Sequence, residues 1–365
     1  MFDYSEEFQK MTSSLSEGAR MIIIKGRRRT GKTSLLLSSL NELGRPYVVL
    51  DGRAFSSSPQ VRREEFVKLL EDGLNEFLRR ERRLGAKVID ALKHVQGLER
   101  TSGAIPGLSL RWGPLPRDAV NVSSIFDALS DEAARQKTSF IIAIDEAQEF
   151  RKVMRYDLTG VLAHAYDYCP GLKFVVTGSE AGMLHKFLRV DDPEAPLFGR
   201  AMVEIELSGL TKERSVEYLR EGFRQVGMEV PGDVLEGAHL RFDGIIGWLT
   251  YLGFRAREER ELDQKVIEET ASLASKMAAS EFRNFLGLYR SERYRTVMKS
   301  LARGSLSWAD LKRAIESKEG MRVGQGEVTK VLHNLEDAGF VAKDEAGAYS
   351  ISEPMTKEAA SKGII

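Results

Sequence analysis

The sequence predicts an α/β fold: a parallel sheet with helices on both faces, then a helical segment, then a C-terminal winged helix. Three observations carry this. Short, largely apolar runs, Met21-Ile22-Ile23-Ile24, Phe140-Ile141-Ile142-Ala143-Ile144 and Leu172-Lys173-Phe174-Val175-Val176-Thr177, alternate with helix-like stretches. Strands buried in parallel sheets read this way. From Thr211 the strand patterns stop, and helical periods run to about residue 285. Residues from about 291 to 353 then read as three helices and a hairpin, the grammar of a winged helix.

Residues 1–20 are polar and helix-like and lead into the Met21 strand. Ser34 to Leu40 opens an amphipathic helix, and Arg45 to Asp51 reads as a second buried strand. Residues 61–100 form one or two charged helices, carrying Arg79-Arg80-Glu81-Arg82-Arg83. Such a run is more often a solvated face than an anion patch. Gly103 to Pro116 breaks the helical pattern around Leu108-Ser109-Leu110-Arg111-Trp112, as a small hairpin on an insertion would. Asn121 to Arg135 reads as a helix, and Met202 to Leu207 alternates like an edge strand. Thr211 is an N-cap, and Ser307 with Asp310 forms a capping box. A further helix spans about Gly326 to Ala338, and Phe340 to Lys343 and Ala348 to Ile351 flank a turn. The expected domains are a core at 1–208, with an insertion at about 61–118, a helical lid at 209–288, and a winged-helix domain and tail at 289–365.

Composition narrows the function. Lys+Arg and Asp+Glu are both 54 among 365 residues, so the formal charge is zero and no overall basic footprint for nucleic acid exists. The one cysteine, Cys169, rules out an intramolecular disulfide. No apolar run approaches the ~20 residues of a membrane span, and none resembles a signal peptide. The expectation is a soluble, cytoplasmic protein with no membrane partner.

The chemistry starts at Gly26-Arg27-Arg28-Arg29-Thr30-Gly31-Lys32-Thr33, which fits G-x-x-x-x-G-K-[ST] between a strand and a helix. Glycines at Gly26 and Gly31 let backbone N–H groups turn inward around phosphate oxygens. The helix beginning at Lys32 aims its positive dipole end at the same anion. Lys32 is placed for the β- and γ-phosphates, and the Thr33 hydroxyl for Mg²⁺. A phosphate loop demands a later apolar strand ending in an acidic residue. Ile141-Ile142-Ala143-Ile144-Asp145-Glu146 supplies it, with Asp145 on the Mg²⁺ side and Glu146 placed to polarise an attacking water. Thr177 or Ser179, ending the next strand, offers a hydroxyl to the γ-phosphate or that water; such residues also serve as plain turn formers.

Together these motifs resemble the archaeal ATPase family, P-loop proteins related to the AAA+ and STAND NTPases. The loop with Ser34-Leu35 is similar to the family's G-P-R-R-x-G-K-T-S-L, with Arg27 in the usual proline position. Asp145-Glu146-Ala147-Gln148 matches its D-E-A-Q segment. Thr177-Gly178-Ser179 with Gly182-Met183-Leu184 matches its sensor segment, and Pro196-Leu197-Phe198-Gly199-Arg200 its P-L-[YF]-G-R. Two departures stand out. Phe2 to Glu7 lacks the arginine of the amino-terminal box, and Asp243-Gly244-Ile245-Ile246-Gly247-Trp248-Leu249 has Ile246 where relatives often have proline.

The resemblance implies a P-loop NTPase core that binds ATP or ADP with Mg²⁺ through residues 26–34 and Thr177. It implies hydrolysis with Lys32, Glu146 and Arg200 as catalytic groups. Arg200 either approaches a γ-phosphate, in its own chain or a neighbour's, or makes a surface salt bridge. Arg28 and Arg29 either contact phosphate or pair with carboxylates behind the loop. The implied function is a Mg²⁺-dependent ATPase acting as a nucleotide-driven conformational switch, with an unidentified protein partner or its own copies. The alternative is an initiator-like ATPase that reaches DNA through its winged helix. That reading is less favoured, because Gln325, Glu327, Lys330, His333, Asn334, Glu336 and Asp337 do not make a basic face.

Overall fold

The computed structural model describes residues 4–365 apart from 57, 102–106, 111–119, 180 and 290. Phe2, Asp3, Arg111 and Trp112 therefore lie outside the described residues. Helix α1 (Ser5–Glu17) precedes strand β1 (Met21–Gly26), helix α2 (Lys32–Leu43) and strand β2 (Tyr47–Asp51). Helices α3 (Arg63–Arg80) and α4 (Arg82–Leu92) lead into an antiparallel hairpin, β3 (Leu98–Thr101) and β4 (Gly107–Leu110). Then follow α5 (Val122–Arg135), β5 (Phe140–Asp145), α6 (Leu158–Tyr168), β6 (Leu172–Gly178), α7 (Ala181–Leu188) and β7 (Val203–Leu207).

The sheet runs β2-β5-β6-β1-β7 with every pairing parallel. β5 and β6 are buried throughout because neighbours flank them and helices cover both faces. β2 departs from the expected buried strand. It lies at the sheet edge, so its burial alternates, with Val48 and Leu50 inside and Tyr47, Val49 and Asp51 half-buried. Alternation along β1 splits the core in two. Met21 and Ile23 join a cluster with Phe66, Leu70 and Phe126. Ile22 and Ile24 join another with Met11, Leu36, Leu40 and Leu249. Each fully buried Leu or Ile there contributes roughly 1.5–3 kcal/mol. Exposed ion pairs such as Arg79–Glu76 are worth about 0.2–1 kcal/mol, so packing, not surface charge, holds the core. Arg79, Arg80, Arg82 and Arg83 are exposed, as a solvated face would be, and Arg80 also stacks on the Tyr47 ring at 3.6 Å.

The lid comprises α8 (Lys212–Gln225), α9 (Gly232–Phe242), α10 (Ile246–Glu259) and α11 (Gln264–Leu288). Thr211 caps α8 by accepting from Arg214 N. The winged helix follows as α12 (Arg293–Leu301), α13 (Trp308–Glu319), α14 (Gln325–Asp337), β8 (Val341–Lys343) and β9 (Tyr349–Ile351). The Ser307–Asp310 capping box is present. Helix α15 (Pro354–Ser361) closes the chain and was not expected. Glu353 caps it, Pro354 occupies its first turn, and Met355 and Ala359 are fully buried.

α11 belongs to two cores. Val266, Ile267, Ala271 and Ala274 pack in the lid cluster, whereas Phe282 and Phe285 pack with Val328, Leu332 and Phe340 of the wing. α14 does not stand free either. Lys186 of α7 pairs with Asp337 and His333, and a Cβ at Gly182 would lie 2.7 Å from Asp337 Oδ1.

Candidate active site

The loop from Gly26 to Thr33 is built by close approach. A Cβ on Gly26 would lie 2.4 Å from the Leu207 carbonyl oxygen, so only glycine leaves β1 beside β7 here. Gly31 takes a left-handed φ of 89° just before α2, and the Tyr4 ring packs against it. Thr30 is fully buried and donates to Arg27 O at 2.8 Å. Lys32 folds back over the loop, donating to Gly26 O at 3.0 Å and Arg27 O at 2.8 Å. Burial pushes its pKa down to about 8, against the opposing pull of the Glu146 and Asp145 carboxylates.

The second half of the site comes from the ends of β5 and β6. Asp145 is 1 % exposed and accepts from the Thr33 hydroxyl at 2.8 Å and from the Thr177 hydroxyl. Thr177 in turn accepts from Glu146 N at 3.1 Å. Glu146 adopts a left-handed φ of 49°, an uncommon conformation for this residue type that concentrates at functional sites. Its carboxylate accepts from Ser179 N at 3.1 Å, Ser179 Oγ at 2.6 Å and Gln148 Nε2 at 2.6 Å. Burial pushes the Glu146 pKa up, but the Lys32 charge and these hydrogen bonds outweigh it and hold the group below the usual carboxylate range. Gln148 Oε1 is buried with no hydrogen-bond partner among the described residues.

These groups face a cleft of about 920 Å³ between core and lid. Lys32, Thr33, Ser34 and Glu146 line one wall; Ile246, Trp248, Tyr251 and Phe254 line the other. A polar, phosphate-ready wall opposite an aromatic one suits a nucleotide, and the volume lies in the range of ligand clefts. The hydroxyl of Thr33 and the carboxylate of Asp145 are adjacent hard oxygen donors, the set Mg²⁺ takes.

The loop arginines are engaged by the lid and the C-terminal segment, and Arg29 also lines the cleft. Arg27 pairs with Asp243 at 3.2 Å and donates to Ser352 O at 2.7 Å. Arg28 and Arg29 both meet Glu281 of α11, at 3.5 and 3.2 Å. Arg29 also stacks on Trp248 at 4.0 Å, and its carbonyl accepts from Gly247 N at 2.9 Å. A Cβ on Gly247 would lie 2.6 Å from Arg29 Cβ, so that glycine is needed for lid and loop to meet. Arg28 and Arg29 thus both pair with a carboxylate of the lid. Arg200 donates to Asp167 from Nε at 3.1 Å and does not line the cleft. Sequence reasoning missed Glu281, which lies over 250 residues from its partners and has no local motif. It also missed Arg53, which lines the cleft and was detectable from its place just beyond a parallel strand's carboxyl end.

A five-stranded parallel sheet carrying this loop, an acidic strand end, a helical lid and a winged helix defines an ATPase of the P-loop class. A family model described as "ATPase domain predominantly from Archaea" matches residues 1–251, and the chain belongs to that family. A second model, the "MCM protein C-terminal winged helix-turn-helix domain", matches residues 288–352. The chain is similar to the Walker-type ATPase PABY2304 of Pyrococcus abyssi, with 29% identity and a TM-score of 0.80 over 99% of this chain and 96% of that one. It shares its fold with the Aeropyrum pernix ORC2 protein solved with ADPNP and ADP, with 13% identity and a TM-score of 0.60 over 98% and 92% of the two chains. No curated protein matches the sequence. Among the described residues, no helix is long and apolar enough to cross a membrane.

Proposed function

We propose that hydrolysis in this ATPase drives a conformational switch in which the phosphate loop reports to the lid and the winged helix. One observation carries this reading: Arg27, Arg28 and Arg29, inside the loop, are held by Asp243, Ser352 and Glu281, which belong to the lid and the C-terminal segment. Any rearrangement of the loop around phosphates must act on those contacts.

The chemistry follows from the residues in place. Lys32 and the loop N–H groups bind the β- and γ-phosphates, with Ser34 at the cleft wall. Thr33 and Asp145 would hold Mg²⁺, which would supply positive charge against the phosphate oxygens. Thr177 fixes Asp145 and the Glu146 backbone in register. Glu146, ionised at neutral pH, accepts a proton from water as the water oxygen bonds to phosphorus and the bond to the ADP oxygen breaks. Arg200, tied to Asp167 and outside the lining of its own cleft, is a candidate for contact with the γ-phosphate in a neighbouring copy. Restored activity on mixing Arg200→Ala with Lys32→Ala is the outcome that supports such a contact.

Glu146→Gln should bind ATP and lose turnover. With ATP held by that variant, hydrogen exchange in α11 and residues 352–361 should differ from the ADP-bound state. Identical exchange in the two states would sink the switch. The winged helix gives a DNA reading its support. Against it, the α14 face is acidic in part, and Asp337 is buried against α7. Duplex binding with a steep salt dependence would favour the DNA reading.

A further inference from the structure

We propose that Arg53 is a further catalytic residue, contacting the γ-phosphate of ATP bound to its own chain. The proposal rests on the site reading above. β2 ends at Asp51, in register with Asp145 on β5. Gly52 then runs so close to the acidic pair that a Cβ there would lie 2.5 Å from Glu146 O and 2.9 Å from Asp145 O. Only glycine allows this approach, and it delivers the next side chain over the carboxyl edge of the sheet. The Arg53 guanidinium lies 3.9 Å from Asp145 Oδ2 and lines the same cleft as Lys32, Thr33 and Glu146.

Its present partner is local. Arg53 Nε donates to Asp51 Oδ1 at 2.9 Å and Nη2 to Asp51 Oδ2 at 2.6 Å. The side chain is 60% exposed, so a turn about its own torsions costs little packing. Charge favours that turn. Lys32 faces the two carboxylates of Asp145 and Glu146, so its single charge alone does not offset theirs before any phosphate enters. The loop arginines are engaged by Glu281, Asp243 and Ser352 O. Arg53 is held at the β2 end by Asp51, which lies outside the phosphate cradle, while its guanidinium already approaches Asp145 inside it. A guanidinium matches a terminal phosphate bidentately and stabilises the charge on its equatorial oxygens as the bond to ADP breaks.

The experiment compares Arg53→Ala, Arg53→Lys, Asp51→Asn and Glu146→Gln in single-turnover hydrolysis and in equilibrium binding of ADP and ADPNP, with melting curves as the check on folding. Arg53→Ala should slow hydrolysis by about 10²-fold or more and cut the preference for ADPNP over ADP by roughly tenfold, leaving ADP affinity near wild type. Arg53→Lys should recover part of the ADPNP preference and little of the rate, because a point charge lacks the fork. Asp51→Asn should keep both. If Arg53→Ala hydrolyses ATP at close to the wild-type rate, the proposal falls. It also falls if Asp51→Asn reproduces the Arg53→Ala defect, which would make Arg53 only the ion-pair partner of Asp51. Restoration of activity on mixing Arg53→Ala with Lys32→Ala would overturn the within-chain assignment. Glu146→Gln separates the two readings: turnover surviving in that variant refutes the site itself, whatever Arg53 does.

Discussion

Glu281→Gln tests the link between loop and lid most directly. Glu281 accepts from Arg28 and Arg29, and the three side chains are 36%, 21% and 28% exposed for Arg28, Arg29 and Glu281. A well-formed hydrogen bond to a charged group contributes about 1.5–3 kcal/mol. The Arg28 contact, at 3.5 Å, is at the weak end of that range, and partial exposure screens both contacts. Neutralising Glu281 also removes a counter-charge from two half-buried guanidiniums. The net loss is roughly 1–2 kcal/mol, or about 5- to 30-fold in the ratio of docked to undocked lid. Hydrogen exchange reads this as opening. Amides of α10, α11 and residues 352–361 should exchange faster by that factor, while those of β5 and β6 stay unchanged. Glu221→Gln, which breaks the surface Arg224 pair, should leave all of them unchanged. Unchanged exchange in α10 and α11, or equal acceleration throughout the sheet, would refute the reasoning.

ATP affinity should be flat below pH 8 and fall above it. With its pKa near 8, Lys32 must regain a proton to meet phosphate in alkaline solution, so the association constant should drop up to about tenfold per pH unit, with proton uptake visible as buffer-dependent heat. The same shift makes the Lys32 contribution to folding stability rise with pH between about 8 and the ordinary value of 10.5. Gly52→Ala should misplace Asp145 and Glu146 and destabilise the fold by roughly 1–3 kcal/mol, seen as a lower melting temperature together with weakened hydrolysis. Trp248→Phe removes the indole N–H donated to Glu353 and should cost about 1–3 kcal/mol in denaturant titration.

The α/β core and its loop were legible because their signals are local. β5 and β6 read as strands since burial on both faces demands continuous apolar residues. Gly26, Gly31, Lys32, Thr33 and Asp145 fall at spacings that phosphate chemistry imposes. β2 was misjudged as a buried strand because Tyr47-Val48-Val49-Leu50 is apolar enough for a central position, and only the pairing order places it at the edge. Arg27, Arg28 and Arg29 occupy unspecified positions of the loop pattern, so their partners had to come from distant chain. Arg27 and Ser352 are 325 residues apart. α15 is short, and its helical signal of Glu353, Pro354 and Ala359-Ala360 is weak until Met355 and Ala359 are seen packed inside.

A helix shared between two hydrophobic clusters behaves as a lever. α11 spans 25 residues, with Val266 seated in the lid and Phe285 in the wing. At 1.5 Å per residue those seats are about 28 Å apart, so a tilt of roughly 10° about Val266 sweeps Phe285 through about 5 Å. Glu281 sits near the far end of this arm, where a small pull from the loop has its greatest mechanical advantage over the lid.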